Sequence, residues 1–151
     1  MVAQIAVIGS GAEWVPQAEE VGRLLAERGC VVVCGGLGEV MEAAARGAKE
    51  AGGTTVGILP GESTRDANAW IDYAVATGTG HARNLAVVAS CEAAVAVGGR
   101  WGTLAEIAYA RLLRRPVVAL ASGPEVGGEG IERAATPAEA VELALRLAGV
   151  P

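Results

Sequence analysis

The chain has 151 residues, of which 52% are hydrophobic, so its length and composition suit one domain, residues 1–151, with one substantial core. Its formal net charge is −5, which argues against a general nucleic-acid-binding protein because such a protein needs a basic face. Lys49 is the single lysine. No Gly-Lys-Ser/Thr motif surrounds it, which excludes a P-loop nucleotide site.

Apolar runs alternate along the chain with amphipathic segments. Buried strands are predicted, in chain order, at residues 4–8, 30–34, 54–59, 70–76, 93–97, 117–121 and, as an edge strand, 131–135. Helices are predicted at residues 15–28, 39–51, 81–90, 104–114 and 138–147. This alternation predicts an α/β fold in which six or seven mostly parallel strands form a sheet covered on both faces. The polar stretch 61–69 is the longest early loop and a candidate lid.

Four of the predicted strands end in glycine-rich turns, at residues 9–11, 35–38, 77–80 and 98–99. In a parallel sheet these turns share the carboxyl edge, where such folds bind ligands. Glycine lets the backbone approach a ligand closely, and the first N–H groups of the following helix are free to bind an anion. The alternative is that tight turns between strands and helices need glycine in any case.

A dinucleotide site is the first possibility to test at these turns. The stretch Gly9-Ser10-Gly11-Ala12-Glu13-Trp14 has tryptophan where the third glycine of that motif belongs. The second strand ends in Gly35-Gly36 rather than in the acidic residue that binds a ribose. A nicotinamide-dependent dehydrogenase is therefore not expected.

The stretch 97–106 combines the end of a strand, a glycine turn and the start of a helix. Gly98, Gly99, Gly102 and Thr103 would hold a phosphate by backbone N–H groups and by the threonine hydroxyl. Glu106 follows Thr103 by three residues, so a carboxylate would lie beside that phosphate. The alternative is a capping box, in which Thr103 caps the helix and Glu106 reaches back to the cap N–H without any ligand.

Arg83 and His81 lie where the turn 77–80 enters its helix. An arginine at such a place can clamp a phosphate or carboxylate with two hydrogen bonds, although a solvated surface arginine is the alternative. His81 is interpreted as a hydrogen-bonded turn residue. Arg83 and Glu106 beside a bound nucleotide would suffice to cleave a glycosidic bond, the arginine holding the phosphate and the carboxylate acting at the departing sugar.

Cys30, Cys34 and Cys91 are odd in number and irregularly spaced, so core thiols are expected rather than disulfides, and no metal site is expected. The first residues carry no basic region, and no apolar run is long enough to span a membrane. A cytoplasmic protein without membrane contact is predicted.

Several motifs together resemble the Lonely Guy (LOG)-like superfamily of Rossmann-like proteins, many of them labelled lysine decarboxylases. They are Gly98-Gly99-x-x-Gly102-Thr103-x-x-Glu106, Arg83 at a helix start, and Gly35-Gly36 ahead of Val40-Met41. The resemblance covers about residues 5–121. Within it the chain is similar to the branch of the molybdenum cofactor carrier proteins, by Thr77-Gly78 ahead of Ala82-Arg83-Asn84 and by residues 53–60 ahead of Asn68.

The resemblance implies a Rossmann-like three-layer sandwich and one of two functions. LOG enzymes release a free base from a nucleoside monophosphate, and their catalytic arginine and glutamate fall on Arg83 and Glu106. The carrier proteins bind the pterin cofactor. The chain departs from the enzyme pattern at three places: the pair Arg100-Trp101 in place of one residue, Asn84 in place of lysine, and Glu39 where the enzymes tend to have glycine. The first two departures argue against hydrolysis and leave anion binding intact.

The sequence therefore predicts a carrier or binding protein for a small phosphate-bearing heterocycle, either molybdenum cofactor or a nucleotide, that requires no cofactor of its own. The alternatives are a nucleoside monophosphate phosphoribohydrolase and a nucleotide sensor that works with a partner; lysine decarboxylation is not expected. A homo-oligomer, a dimer or a higher assembly, is expected, because small domains of this type resemble dimers and the Ala-rich helices offer flat faces. The predicted binding residues are Gly9, Ser10, Gly35, Gly36, Thr77, Gly78, Arg83, Asn84, Gly98, Gly99, Arg100, Trp101, Gly102, Thr103 and Glu106.

Overall fold

The computed structural model describes residues 1–120 and 128–151. The strands within these ranges are β1 (Gln4–Ser10), β2 (Val31–Cys34), β3 (Thr54–Leu59), β4 (Tyr73–Ala76), β5 (Ala93–Gly98), β6 (Val117–Leu120) and β7 (Ile131–Ala134). The helices are α1 (Val15–Glu27), α2 (Val40–Glu50), α3 (Arg83–Ala89), α4 (Trp101–Leu112) and α5 (Pro137–Leu147). The last residue predicted for the sixth strand, Ala121, and most of the loop that follows it lie outside the described residues.

The seven strands form one sheet in the order β4-β3-β2-β1-β5-β6-β7, and every neighbouring pair is parallel. The chain moves outward from β1 to β4 and then returns to the centre, where β5 pairs with the free edge of β1 from Ile5 opposite Ala93 to Ser10 opposite Gly98. The predicted α/β, Rossmann-like sandwich is confirmed. The strand order reverses between β1 and β5, which is where sheets of this kind form a crevice.

Alternate residues of the central strands supply two separate layers of core. Ile5 and Val7 of β1 face one apolar cluster, and Ala6 and Ile8 face the other. Helices α1, α2 and α5 cover the first cluster, whereas α3 and α4 cover the second. The site described below lies at the carboxyl ends of these central strands, so a rigid core supports it from beneath.

Helices α1 and α2 touch through their backbones at two glycines. An alanine Cβ at Gly22 would overlap the carbonyl oxygen of Ala44, and one at Gly47 would overlap that of Glu19. The side chain of Arg46 also donates to Glu19, at 2.8 Å and 3.2 Å. The close approaches at Gly22 and Gly47 leave no room for an extra carbon between the two helices.

Two predicted boundaries differ from the observed ones by three residues. The fourth strand begins at Tyr73 rather than at residue 70, because the side chain of Asp72 accepts hydrogen bonds from the backbone N–H of Thr55 and from Lys49. The helix predicted from residue 104 begins at Trp101, so Thr103 lies inside the first turn of α4 and does not precede the helix.

The helices of residues 1–120 and 128–151 are all too short or too polar to cross a membrane.

Candidate functional site

A cavity of about 160 Å³ opens at the carboxyl edge of the sheet, where β1 and β5 part. Its floor comes from the end of β1 and from the turn after β2, and its far wall comes from the first turns of α3 and α4. The lining residues are Val7, Ile8, Gly9, Ser10, Gly35, Met41, His81, Arg83, Asn84, Gly102, Thr103 and Glu106. The cavity therefore joins two of the four predicted glycine-rich turns, those at residues 9–11 and 35–38, with the starts of α3 and α4.

Arg83 reaches into this cavity from the first residue of α3. Its Nη1 donates to the carbonyl oxygens of Gly35 and Ile58, the latter at 2.7 Å, and its Nε donates to Oδ1 of Asn84 at 2.9 Å. Gly35 is required here because any Cβ would collide with Nη1. Three bonds fix the plane of the guanidinium, and Nη2 has no partner among the described residues, so that nitrogen is left for a ligand.

Glu106 lies on the second turn of α4, where it is partly accessible through the cavity. Removal from water raises the pKa of its carboxyl to about 8, and attraction to the Arg83 guanidinium opposes the shift only in part. The same burial lowers the pKa of Arg83, and the nearby Glu106 and Cys34 partly offset this. At neutral pH Glu106 is therefore mainly a neutral acid, which can donate a hydrogen bond as well as accept one.

The capping-box interpretation of Thr103 and Glu106 is wrong. Arg100 is the residue that precedes α4, so Thr103 already lies inside the first turn, where it is 4% exposed. No side chain caps this helix end, and Gly102 and Thr103 of its first turn line the cavity. The glutamate is thus free of a capping role, and a free helix N-terminus attracts anions.

Seven predicted binding residues do not line this cavity. They are Gly36, Thr77, Gly78, Gly98, Gly99, Arg100 and Trp101. Three of these, Gly99, Arg100 and Trp101, line a second, mostly apolar pocket of about 280 Å³ together with Leu104. Trp101 is 83% exposed there, so it does not plug the glycine turn; Trp14 does so instead, packed directly on Gly98.

The turn after β4 holds the neighbouring loops together. Thr77 donates its hydroxyl to the carbonyl of Leu59 at 2.7 Å, and the N–H of Gly78 binds the carbonyl of Gly61. The candidate lid, 61–69, is also attached to a neighbouring loop, because the side chain of Asn68 donates hydrogen bonds to the carbonyl oxygens of Gly36 and Leu37. The loop therefore lies over the turn after β2 and contributes no residue to the lining of the cavity.

Sequence reasoning missed one contact at the rim of the cavity. The carboxylate of Glu39 accepts the backbone N–H of Gly11 at 2.8 Å, joining the turns after β1 and β2. Its backbone has φ 55° and ψ −122°, a conformation outside the regions that side chains favour. Val7, Ile8 and Met41 also line the cavity without having been predicted; periodicity marks them only as core.

Beneath the site, Cys34 is fully buried, and burial raises the pKa of its thiol to about 11. All three cysteines are free and buried. Within residues 1–120 and 128–151, no three His, Cys, Asp or Glu side chains come together as metal ligands would. The polar and charged side chains that line the cavity are those of Ser10, His81, Arg83, Asn84, Thr103 and Glu106.

Comparison with known proteins assigns the family. The model of the SLOG cluster4 family matches residues 2–145. The chain belongs to the SLOG cluster4 family. Every residue that lines the cavity lies within the matched range.

Relatives of this SLOG cluster4 chain agree closely with it over their whole lengths. It is 45% identical to an uncharacterized protein of Archaeoglobus fulgidus, over 94% of each chain. It is 33% identical to the molybdenum cofactor binding protein of Rippkaea orientalis, over 97% of this chain and 98% of that one, with a TM-score of 0.91. It is also 33% identical to the molybdenum cofactor carrier protein of Chlamydomonas reinhardtii, over 99% of each chain, with a TM-score of 0.88.

Proposed function

We propose that this protein binds and carries a small phosphate-bearing heterocycle, either molybdenum cofactor or a nucleotide, with the phosphate in the cavity at the carboxyl edge of the sheet. The observation that carries the proposal is the guanidinium of Arg83, which three hydrogen bonds hold in place while Nη2 remains without a protein partner. The names of the two solved relatives, which bind or carry molybdenum cofactor, support this class of ligand.

The residues around Arg83 suit a phosphate in both charge and hydrogen bonding. Nη2 of Arg83 and the N–H groups at Gly102 and Thr103 are donors, and a protonated Glu106 is a further donor. A neutral carboxyl also avoids the repulsion that a carboxylate would exert on the phosphate. A cation, a helix N-terminus and a neutral acid thus converge on one anion.

The volume of the cavity limits how much of the ligand enters. Pockets that enclose a drug-sized ligand measure roughly 300–1,000 Å³, whereas this cavity measures about 160 Å³. The phosphate and the atoms next to it fit, and the heterocycle remains near the mouth. An accessible heterocycle suits a carrier, because the cargo has to pass to another protein without unfolding of its carrier.

Replacement of Arg83 by alanine is expected to weaken the binding of AMP or a pterin phosphate at least about tenfold, because the variant loses a charge-assisted contact. Isothermal titration calorimetry would measure the change, with folding of each variant checked by circular dichroism. Arg83→Lys should recover only part of the affinity, since lysine lacks the planar fork. Arg65→Ala, which removes an exposed arginine from the loop 61–69, is the matched control; equal affinity of the Arg83 and Arg65 variants would contradict the site.

Hydrolysis of nucleoside monophosphates is the second candidate function. The observation in its favour is that Glu106, with its pKa near 8 beside Arg83, is a carboxyl matched to proton transfer near neutral pH. Incubation with AMP, with free adenine assayed by chromatography, separates the two functions. Release of adenine that Glu106→Ala abolishes would establish the enzyme, and binding without release would leave the carrier.

We further propose that two copies of the chain associate through α4. Four exposed residues repeat at helical spacing along one side of this helix: Trp101, Ala105, Ala108 and Leu112. The large side chains at the two ends, 83% and 78% exposed, and the alanines between them suit a second α4 packed antiparallel about a twofold axis, with tryptophan against leucine and alanine against alanine.

Replacement of Leu112 by glutamate is expected to convert this dimer to a monomer, because it places a charge in the apolar contact between tryptophan and leucine at each end of the interface. Light scattering after size-exclusion chromatography would measure the mass. Leu147→Glu on α5, at another exposed leucine, is the control and should leave the mass unchanged. A wild-type protein that elutes as a monomer would contradict the interface.

We also propose that the protein works in the cytoplasm and without nucleic acid. The three free thiols support a reducing compartment, and the net charge of −5 supports a small ligand in place of a polyanion.

A further inference from the structure

The backbone of Glu39 adopts a conformation that glycine would adopt without strain. Its φ is 55° and its ψ is −122°, whereas the left-handed region open to other residues has positive ψ. The residue is exposed, so packing against neighbours does not force this conformation. Strain of this kind persists where the surroundings hold it, and it concentrates at functional sites.

The side chain of Glu39 does not cap the helix that it precedes. No N–H group of α2 donates to it; its Oε2 instead accepts the N–H of Gly11 across the gap between two turns, at 2.8 Å. A cap role for α2 therefore does not explain why a glutamate occupies this strained position. The contact to Gly11 is what the carboxylate provides.

The bridge between Glu39 and Gly11 adjoins residues that line one side of the cavity. Gly11 directly follows Ser10, and Glu39 precedes Met41 by two residues; both Ser10 and Met41 line the cavity. This side belongs to the layer of α1 and α2, whereas Arg83, Gly102 and Thr103 belong to the layer of α3 and α4. The rim thus has an anion-binding side and, opposite it, a side whose N–H donor is already bound to a carboxylate.

A second carboxylate strengthens the contrast between the two sides. Glu13 lies close to Gly11, with Oε2 3.1 Å from the position of a Cβ at that glycine. The glycine turn after β1 therefore carries two acidic side chains, while the opposite wall carries Arg83 and His81. Any anion that approached the turn after β1 would meet negative charge.

We propose that Glu39 determines which ligands the site accepts: its carboxylate occupies the Gly11 amide that a second phosphate would use, so the site binds monophosphates and rejects diphosphates. The inference rests on the proposed function, in which the first phosphate binds beside Arg83. The carboxylate of Glu39 takes the position at the Gly11 N–H that a phosphate oxygen of a ligand would otherwise take. Its strained backbone is the cost of keeping the carboxylate at that amide.

Two variants separate the charge of Glu39 from its backbone. Glu39→Gln keeps the strained conformation and an oxygen that can accept the Gly11 N–H, but it has no charge. Glu39→Gly removes the strain and leaves the amide free. Glu50→Gln, at an exposed carboxylate at the far end of α2, changes the net charge equally and is the control.

Calorimetric titration with AMP and ADP, and with phosphate and pyrophosphate as probes without a heterocycle, tests the proposal. Wild type should bind the monophosphate of each pair more tightly. Glu39→Gly should tighten the binding of ADP and pyrophosphate about tenfold, because it frees the Gly11 amide and removes a like charge a few ångströms away. Glu39→Gln removes only the charge and should tighten their binding less, while AMP and phosphate should change less than about threefold in both variants. The Glu50 variant should match wild type.

A readout without ligand tests the structural part. Glu39→Gly should melt at or above the wild-type temperature, since it relieves strain, and its Gly11 amide should exchange with solvent faster; a lower melting temperature would show that the residue serves stability and would overturn the inference. An unchanged ratio of monophosphate to diphosphate affinity in both variants would overturn it as well, with the proposed function intact. Failure of wild type to bind any of the four probes would instead refute the proposed function, and the inference with it.

Discussion

Replacement of Gly47 by alanine is expected to destabilise the protein by about 3 kcal/mol or more, the upper end of what overpacking costs. In an isolated helix the same change would stabilise by about 1 kcal/mol, because alanine has the higher helix propensity. The contact between α1 and α2 reverses the sign. The new Cβ would overlap the carbonyl oxygen of Glu19, which is backbone and cannot rotate away, so the two helices would have to separate.

Urea denaturation followed by circular dichroism measures this difference in the free energy of unfolding. Gly22→Ala should behave alike, since its Cβ would meet the carbonyl oxygen of Ala44. Gly38→Ala is the matched control, because no heavy atom lies within 4 Å of a Cβ at that position, and it should change stability little. Wild-type stability in Gly47→Ala would show that α1 and α2 do not touch through their backbones.

Replacement of Glu106 by glutamine is expected to stabilise the ligand-free protein at pH 8 and to have little effect near pH 4.5. The folded-state pKa is raised to about 8 from an ordinary value of 4.5, so the folded state binds more protons than the unfolded state between these values. Stability therefore falls as the pH rises through this window and levels off above pH 8. Glutamine has no proton to lose, and on the order of 2–4 kcal/mol separates the two proteins at the upper end.

The difference between the melting temperatures of wild type and Glu106→Gln, recorded from pH 5 to pH 9 in a buffer without phosphate, isolates this carboxyl. Arg83, Cys34 and His81 are the other ionisable groups around it, and they are the same in both proteins, so to first order their contributions cancel. The difference should grow with pH. A difference independent of pH would mean that Glu106 is ionised and well solvated in the folded protein.

Much of the fold could be predicted from hydrophobic periodicity alone. The bounds predicted for the third strand are the observed ones. The helix predicted at residues 138–147 begins one residue earlier, at Pro137, and Thr136 caps it by accepting the N–H of Glu139. In both cases the signal is local. Apolar alternation bounded by glycine or proline, and a threonine before Pro137, require no knowledge of the rest of the chain.

The start of α4 shows why local patterns fail at the site. Thr103 and Glu106 have the spacing of a capping box, but two residues three apart have that spacing anywhere in a helix. What decides the helix start is the turn before it, where Gly98 has φ 61° and packs on Trp14, a contact with a distant part of the chain. The same holds for Glu39, whose bond to Gly11 joins two turns that only the sheet brings together.

The pairing of β1 with β5 has a consequence for the synthesis of the protein. The ribosome makes β1, β2, β3 and β4 first, and these strands can pair with one another as they emerge. The inner edge of β1, with Gly9 and Ser10 at its end, stays unpaired until Ala93–Gly98 has been made, and an open apolar strand edge invites wrong partners. The nascent chain is thus most vulnerable while the site is half built, at a stage when no ligand can yet protect it.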